Sequence, residues 1–276
     1  MFIFFKTKFS IEIFLFNIIN ILYVIKNGDV MSIKPQDLLK NKKDLNKLLK
    51  FEDICLDGIT IDDLTFNGDN YTKYINLNSF LNSVSSCQIS DAFNEIAQRS
   101  GVIYNLKSIN NLKTWGRITT SKTDSDDWGT ITLAIDEASE GDVLLIETSN
   151  MDAAIWGELA STCAKNNGVK ATLVYGCVRD LDALLDMDYP IFACGFRPNA
   201  GKALGLGENN VDLELESMKI SPGDFLFGDE TGVVVIPKEY FTKVMIQTLE
   251  IKAKEKNITD MLNSGMSLSQ VVGFKK

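Results

Sequence analysis

The sequence predicts a mixed α/β domain built in layers, on three observations. Short apolar runs of buried-strand type alternate with segments of helical periodicity through the middle of the chain. Toward the end the pattern turns more β-rich, with two strands that read as a hairpin. The 276 residues are 45% hydrophobic and 24% charged, the composition of a soluble globular protein with a sizeable core.

The first thirty residues differ in character. Met1–Ile25 is dense in Phe and Ile, but Glu12, Asn17 and Asn20 interrupt a stretch only marginally long enough for a membrane helix of about 20 apolar residues. Lys26-Asn27-Gly28-Asp29 offers no small-residue cleavage site. Gly28-Asp29 can be encoded by a purine-rich ribosome-binding sequence, and Met31 follows closely. The expectation is that Met31 is the true start and residues 1–30 a gene-calling artefact. A membrane anchor and a soluble extension are the alternatives, and the intact mass of the native protein decides among them. Lys34–Phe51 carries Leu38, Leu39, Leu45, Leu48 and Leu49 at helical spacing, with lysines between, as in an amphipathic helix that packs one face on a domain. Residues 52–79 read as a polar connector with short β-like pieces at Ile59–Ile61 and Tyr74–Leu77.

The core is expected from Phe80. Ser90-Asp91 reads as the N-cap of a helix over Ala92–Arg99. Trp115–Ser121 alternates as a strand, and Thr130–Ala138 is helical up to Gly141-Asp142. Val143–Glu147 is a buried strand. Asp152–Asn166 reads as a helix with Gly168 as its stop. Ala171–Tyr175 is another buried strand, Leu181–Met187 a short helix and Ile191–Cys194 a strand. Ser221-Pro222-Gly223-Asp224 is a turn. Phe225–Phe227 and Gly232–Ile236 form the hairpin, and Phe241–Leu262 is a long C-terminal helix.

Composition excludes several chemistries. There is no histidine, which removes Ser-His-Asp and Cys-His nucleophiles, His proton shuttles and His-bearing zinc sites. A net charge of −9 argues against nucleic acid as a partner. The five cysteines, Cys55, Cys87, Cys163, Cys177 and Cys194, are widely spaced with no C-x-x-C pair. No disulfide framework is expected, and the cytoplasm is the default location. Arginine is scarce, with Arg99, Arg117, Arg179 and Arg197 against 24 lysines, so each arginine is a candidate for a place that needs the planar fork.

The chemistry concentrates in Trp156-Gly157-Glu158-Leu159-Ala160 and Tyr175-Gly176-Cys177-Val178-Arg179-Asp180. Gly157-Glu158 falls near a helix start, where free N–H groups and the helix dipole bind carboxylates and phosphates. Arg179-Asp180 follows a buried strand, and open α/β sheets bind ligands outside the carboxyl ends of their strands. There the guanidinium can hold a substrate oxygen and the carboxylate a divalent cation. On the residues alone, a structural Arg–Asp ion pair is an equally good reading. Gly205-Leu206-Gly207-Glu208 is not a dinucleotide fingerprint, because no strand–turn–helix context supports it; it reads as a surface or interface loop.

Six ordered blocks carry a resemblance: QISDAF (88–93), GDVLLIE (141–147), WGELAS (156–161), YGCVRDLDAL (175–184), PNAGKALGLGENNV (198–211) and SPGDFLFGDETGVVVIP (221–237). Together they resemble the RraA-like family, which includes the 4-hydroxy-4-methyl-2-oxoglutarate aldolases and the regulator of ribonuclease activity A. The resemblance runs from about Gln88 to Pro237 and implies a layered β/β/α swivelling-type single domain; with the helices read above, the expected organisation is residues 1–30, an N-terminal helix and connector over 31–79, the core over 80–240 and a C-terminal helix over 241–276. The aldolases of the family use an acid, a spacer of twenty residues, then Arg-Asp, as Glu158 and Arg179-Asp180 do here.

By that resemblance Asp180 is a direct ligand of Mg²⁺ or Mn²⁺, Glu158 acts on the metal through water, and Arg179 binds substrate oxygens. The backbone of Gly157, Glu158, Leu159 and Ala160 cradles a carboxylate. A further glutamate comes from a neighbouring subunit's C-terminal region, with Glu255 the best match and Glu250 the second. The implied activity is retro-aldol cleavage of a 2-oxo-4-hydroxy acid to pyruvate, with oxaloacetate decarboxylation as a side reaction, in a homotrimer or hexamer. Family members that act only as regulators lack the Asp after the Arg. One departure is Ala183, where the family pattern often has an acid, with Asp182 beside it. The alternative is a non-catalytic oligomeric regulator or binding protein.

Overall fold

The computed structural model describes residues 77–274 and, before them, the strands at residues 11–15, 22–26 and 29–33. The chain divides into two compact units, Met1–Ser83 and Val84–Lys276. In the first, Ile11–Leu15, Leu22–Lys26 and Asp29–Ile33 form an antiparallel three-stranded sheet, with Ile11 opposite Lys26 and Leu22 opposite Ile33. Met31 lies within the third strand, opposite Val24. The expected Lys34–Phe51 helix and the β-like piece at Ile59–Ile61 lie outside the described residues. Leu77, expected at the end of a second such piece, instead opens a helix over Leu77–Ser83.

The second unit starts with a helix over Ser86–Ala97, earlier than Ser90-Asp91 suggests. The reason is a capping box. Ser85 Oγ accepts from Gln88 N at 3.3 Å, and Gln88 Oε1 accepts from Ser85 N at 3.1 Å, which satisfies two of the donors that a helix start leaves unpaired. The main sheet then runs in the order Val102–Ile103, Val233–Ile236, Phe225–Gly228, Thr114–Thr123, Val143–Thr148, Ala171–Val178, Ile191–Phe196, Lys107–Ser108. Its middle is parallel, with Ile118 beside Val143, Val143 beside Ala171 and Ile191 beside Thr172. Beyond Thr114–Thr123 it is antiparallel, through the hairpin of Phe225–Gly228 with Val233–Ile236.

Two apolar clusters flank this sheet. Leu144, Ile146, Val174 and Val178 pack with Ile131, Ile135, Ala164 and Leu184, which come from the helices Gly129–Glu137, Glu158–Asn166 and Leu181–Asp186. Val143, Leu145 and Leu173 pack with Ile103, Leu226 and Val233, from the antiparallel end of the same sheet, which curls over its parallel strands as a second β layer, and with Leu213 of the Leu213–Leu215 strand. Alternate residues of each parallel strand therefore serve opposite layers, which is why these strands read as unbroken apolar runs. Val143 to Ile146 are fully buried, each contributing about 1.5–3 kcal/mol of transfer free energy. The result is the expected β/β/α layering.

Buried aspartates tie the loops to this frame. Asp142 accepts from Ser139 N and from Arg117 Nε at 3.0 Å. Asp224 accepts from Ser221 N and Lys238 N, closing the Ser221-Pro222-Gly223-Asp224 turn, where Gly223 has φ +90°. Asp229 accepts from both Ser86 N and Ser86 Oγ. Cys87, Cys163, Cys177 and Cys194 are free thiols. Among the described residues no helix is long and apolar enough to cross a membrane.

Candidate functional site

The helix expected over Asp152–Asn166 is a strand, Ala154–Trp156, followed by a helix over Glu158–Asn166. Tertiary pairing overrides local pattern here. Val143–Thr148 flanks Ala171–Val178 only as far as Tyr175, and Ala154–Trp156 then takes the same edge, parallel, with Ala154 beside Cys177 and Trp156 beside Val178. Both strands therefore end side by side. Gly157-Glu158 leaves one and Arg179-Asp180 the other, and Arg179 N donates to Trp156 O at 3.0 Å across the gap.

Each chain exit is fixed locally. Gly157 is the N-cap and carries no side chain to cap the helix. Its carbonyl accepts from Ser161 N at 3.0 Å and Ser161 Oγ at 2.9 Å, and buried Trp156 donates Nε1 to Ser161 Oγ at 2.7 Å. A Cβ at Gly157 would collide with Asp180 Oδ2 and crowd Arg179 Cγ, so a glycine lets the two exits approach. Asp180 adopts the left-handed conformation, φ 56° and ψ 45°, which Asp tolerates better than most residues. Its carbonyl accepts from Leu184 N at 3.0 Å, opening the Leu181–Asp186 helix.

In this geometry the carboxylate of Asp180 turns toward the start of the Glu158–Asn166 helix. Its Oδ2 accepts from Glu158 N at 3.2 Å and lies 3.6 Å from Arg179 Nε. The N–H groups of Leu159 and Ala160 are in the same first turn, among the donors that every helix start leaves unpaired within the helix. Arg179 and Asp180 are each about two-fifths exposed, at 41% and 38% of their side chains, and Glu158 and Leu159 are exposed. The structure thus brings together Gly157, Glu158, Leu159, Ala160, Arg179 and Asp180 at one edge of the sheet.

Other expected residues stand apart. Glu255 lies on the Phe241–Asn263 helix, where its carboxylate accepts a hydrogen bond from Gln88 Nε2 of the same chain. Glu250 is on that helix too. Asp182 is exposed in the first turn after Asp180, and Ala183 beside it offers no ligand. Among the described residues no group of three or more acids and cysteines is placed to hold a metal ion.

Sequence reasoning missed Asp127. Its Oδ1 accepts from Gly129 N, Leu204 N and Gly205 N at 2.8–2.9 Å, and its Oδ2 from Leu206 N and Thr130 Oγ1 at 2.8 Å. Burial pushes this carboxyl up, but the donations from Gly205, Leu206, Thr130 and Leu204 outweigh it and hold the group far below the usual carboxylate range. The glycine-rich segment expected as a surface loop does expose Leu204 and Leu206, yet its backbone is wrapped on a buried anion. No local pattern announces this, since the partners are some 77 residues apart. The same loop reaches the start of the Ala154–Trp156 strand, where Ala154 N donates to Asn199 O at 2.9 Å. Beside it is a cleft of about 500 Å³ lined by Asp124, Asp126, Asp152, Asn150 and Lys202. The cleft is at the opposite end of that strand from Glu158 and is not lined by the site residues.

Known proteins agree with the fold and the segment. A sequence model of the family described as RraA-like, Aldolase/RraA, matches residues 86–235. An uncharacterized protein of Methanocaldococcus jannaschii, MJ0644, is 36% identical over 163 residues, covering 58% of this chain and 78% of that protein. A Halalkalibacterium halodurans protein named "Putative 4-hydroxy-4-methyl-2-oxoglutarate aldolase" is 32% identical over 177 residues, 62% of this chain and 83% of its own length. Among solved structures, an uncharacterized protein from Pseudomonas syringae pv. tomato superposes with a TM-score of 0.62 at 24% identity, over 70% of this chain and 96% of that one. Streptomyces coelicolor RraAS2, titled an unusual member of the RNase ES inhibitor RraA protein family, gives 0.57 at 20% identity, over 64% and 92%. At those identities the structures speak for the fold alone. The family's sequence pattern, by contrast, spans more than half of these residues, and the chain belongs to the RraA-like family.

Proposed function

We propose that this chain is a divalent-metal-dependent lyase that cleaves a 2-oxo-4-hydroxy acid to pyruvate and a second carbonyl compound. The observation that carries the reading is the Asp180 carboxylate, held on Oδ2 by Glu158 N and beside the Arg179 guanidinium. Among the described residues nothing hydrogen-bonds its Oδ1. The donor set suits Mg²⁺ or Mn²⁺, which commonly take one or two carboxylates and fill the remaining positions with water and substrate oxygens. Asp180 would be the direct ligand, with Glu158 acting through water. When bound, the metal supplies Lewis-acid stabilisation of negative charge on the 2-oxo acid oxygens.

The protein's own groups account for the rest. Arg179 holds the carboxylate of the 2-oxo acid by charge-assisted hydrogen bonds, with the Leu159 and Ala160 N–H groups as further donors at the helix start. Cleavage breaks the C3–C4 bond. The C4 hydroxyl proton leaves toward Glu158, the bond pair moves to C3 as the pyruvate enolate, and a proton delivered at C3 completes pyruvate. The C4 fragment departs as the aldehyde or ketone. Arg179 stabilises the charge that develops on the enolate oxygen. Oxaloacetate decarboxylation passes through the same enolate and is the expected side activity.

Glu255 of a second copy is proposed as the additional acid, in a homotrimer or hexamer, which also suits a site whose own carboxylates are exposed. The relatives named as aldolases support this reading. The test is pyruvate release from oxaloacetate and from 4-hydroxy-2-oxo acids with Mg²⁺ or Mn²⁺, compared with Asp180→Ala. Full activity in that variant excludes the site. The second reading is a non-catalytic regulator, favoured by the absence of a three-acid group among the described residues. Inertness toward all these acids with either metal would support it.

A further inference from the structure

Gly157 carries a conflict into the site. The close approach of the two chain exits requires a residue without a Cβ, since one would meet Asp180 Oδ2. Glycine is also the residue whose adjoining peptides turn most freely. The peptide that follows it carries the Gly157 carbonyl on one edge and the Glu158 N–H on the other, and that N–H donates to Asp180 Oδ2 at 3.2 Å. The peptide with the most freedom to turn is therefore the one that holds the carboxylate.

A relay of two buried side chains opposes this freedom. Trp156 and Ser161 are 1% and 0% exposed. An indole N–H can only donate, so Ser161 Oγ accepts from Trp156 Nε1 at 2.7 Å, and its single hydrogen is left for the Gly157 carbonyl 2.9 Å away. Ser161 N donates to the same carbonyl at 3.0 Å, which occupies both of its lone pairs. Turning the peptide over would strip the carbonyl of both donors and set its oxygen, in place of an N–H, against Asp180 Oδ2. Hydrogen bonds in such a chain also polarise one another, so the donation from Trp156 strengthens the one from Glu158 N–H to the carboxylate.

We infer that Ser161, oriented by Trp156, is a positioning residue of this site: its hydroxyl locks the Gly157–Glu158 peptide in the orientation that presents Glu158 N–H to Asp180. The inference rests on the lyase reading for its consequence, the affinity of the Asp180 carboxylate for a divalent cation. Both side chains are buried and act through the backbone. Partners of this kind set metal affinity by about tenfold or more without touching the metal.

The test compares the full wild-type chain with Ser161→Ala, Ser161→Thr and Trp156→Phe, and with Asp127→Ala as a variant destabilised elsewhere. NMR of the metal-free protein reads the Trp156 indole N–H and the solvent exchange of Glu158 N–H. Electron paramagnetic resonance reads the Mn²⁺ dissociation constant. Ser161→Ala is expected to move the Trp156 indole resonance upfield and to speed Glu158 exchange about tenfold, the worth of one hydrogen bond. It should weaken Mn²⁺ binding by about tenfold. Ser161→Thr, whose hydroxyl also bonds back to the carbonyl four residues earlier, should restore most of both. Trp156→Phe frees the hydroxyl to turn and should give a smaller loss of the same kind. Asp127→Ala should leave Glu158 exchange and Mn²⁺ affinity unchanged. Wild-type Glu158 exchange and Mn²⁺ affinity in Ser161→Ala overturn the inference. Equal losses in Asp127→Ala overturn it too, since they would follow from stability alone. A wild type that binds no Mn²⁺ overturns the lyase reading, while faster Glu158 exchange in Ser161→Ala alone still supports the lock.

Discussion

Asp180 Oδ2 accepts a hydrogen bond from the backbone N–H of Glu158 at 3.2 Å, joining two chain segments that leave the sheet side by side. The contact places a carboxylate at the start of a helix, where it is favoured by the unpaired N–H groups and the helix dipole. In the proposed lyase the other oxygen of Asp180, which takes no hydrogen bond among the described residues, is the one left for a metal.

Asp180→Ala is expected to abolish metal-dependent pyruvate release while the protein keeps its melting temperature to within a few degrees, since Asp180 is partly exposed. Arg179→Ala should lower kcat by about 10²–10³-fold, the usual cost of removing one donor to a developing oxyanion. Steady-state kinetics with oxaloacetate read both effects.

Gly157→Ala tests the close approach. Gly157 has φ −167°, extended backbone open to any residue, so the obstacle is the collision of the new Cβ with Asp180 Oδ2. The variant should fold and bind its metal poorly, and kcat/KM should fall by about tenfold or more. Wild-type kinetics in this variant would show that the two exits need not touch.

Asp127→Ala should destabilise strongly without touching the chemistry. It removes the carboxylate that receives the N–H groups of Gly129, Leu204, Gly205 and Leu206, at a cost of about 3 kcal/mol or more. Thermal melts followed by circular dichroism report the loss. The same residue sets an acid dependence. Its folded-state pKa lies below the ordinary value of 3.8, so its contribution is fully present above that value. It is lost as the pH falls through the folded value. Wild-type stability should therefore drop between pH 4 and lower pH more steeply than that of Asp127→Asn.

Glu255→Gln should be inactive if a neighbouring copy supplies that acid. Co-expressed with Asp180→Ala, itself inactive, it should regain a measurable fraction of wild-type activity, because mixed oligomers contain some sites with both acids native. No regain would place Glu255 outside the site, with its bond from Gln88 and its charge interaction with Lys252.

The N-terminal expectations apart, most elements of the second unit were legible in the sequence, because apolar runs buried on both faces and the Ser221-Pro222-Gly223-Asp224 turn are local signals. The capping box Ser85…Gln88 was equally local and was passed over for Ser90-Asp91. Ala154–Trp156 was not legible in this way. Three residues carry no periodicity of their own, and only an open edge beside Cys177 and Val178 makes them a strand.

The sequence by itself determined which residues carry charge in a chain without histidine, and the spacing of Glu158, Arg179 and Asp180. Tertiary structure alone decided that the two segments end as neighbours, since strand pairing sets that distance and sequence separation does not. It alone decided that Asp127 binds the backbone of Leu204, Gly205 and Leu206, because a buried anion collects donors from wherever the fold brings them.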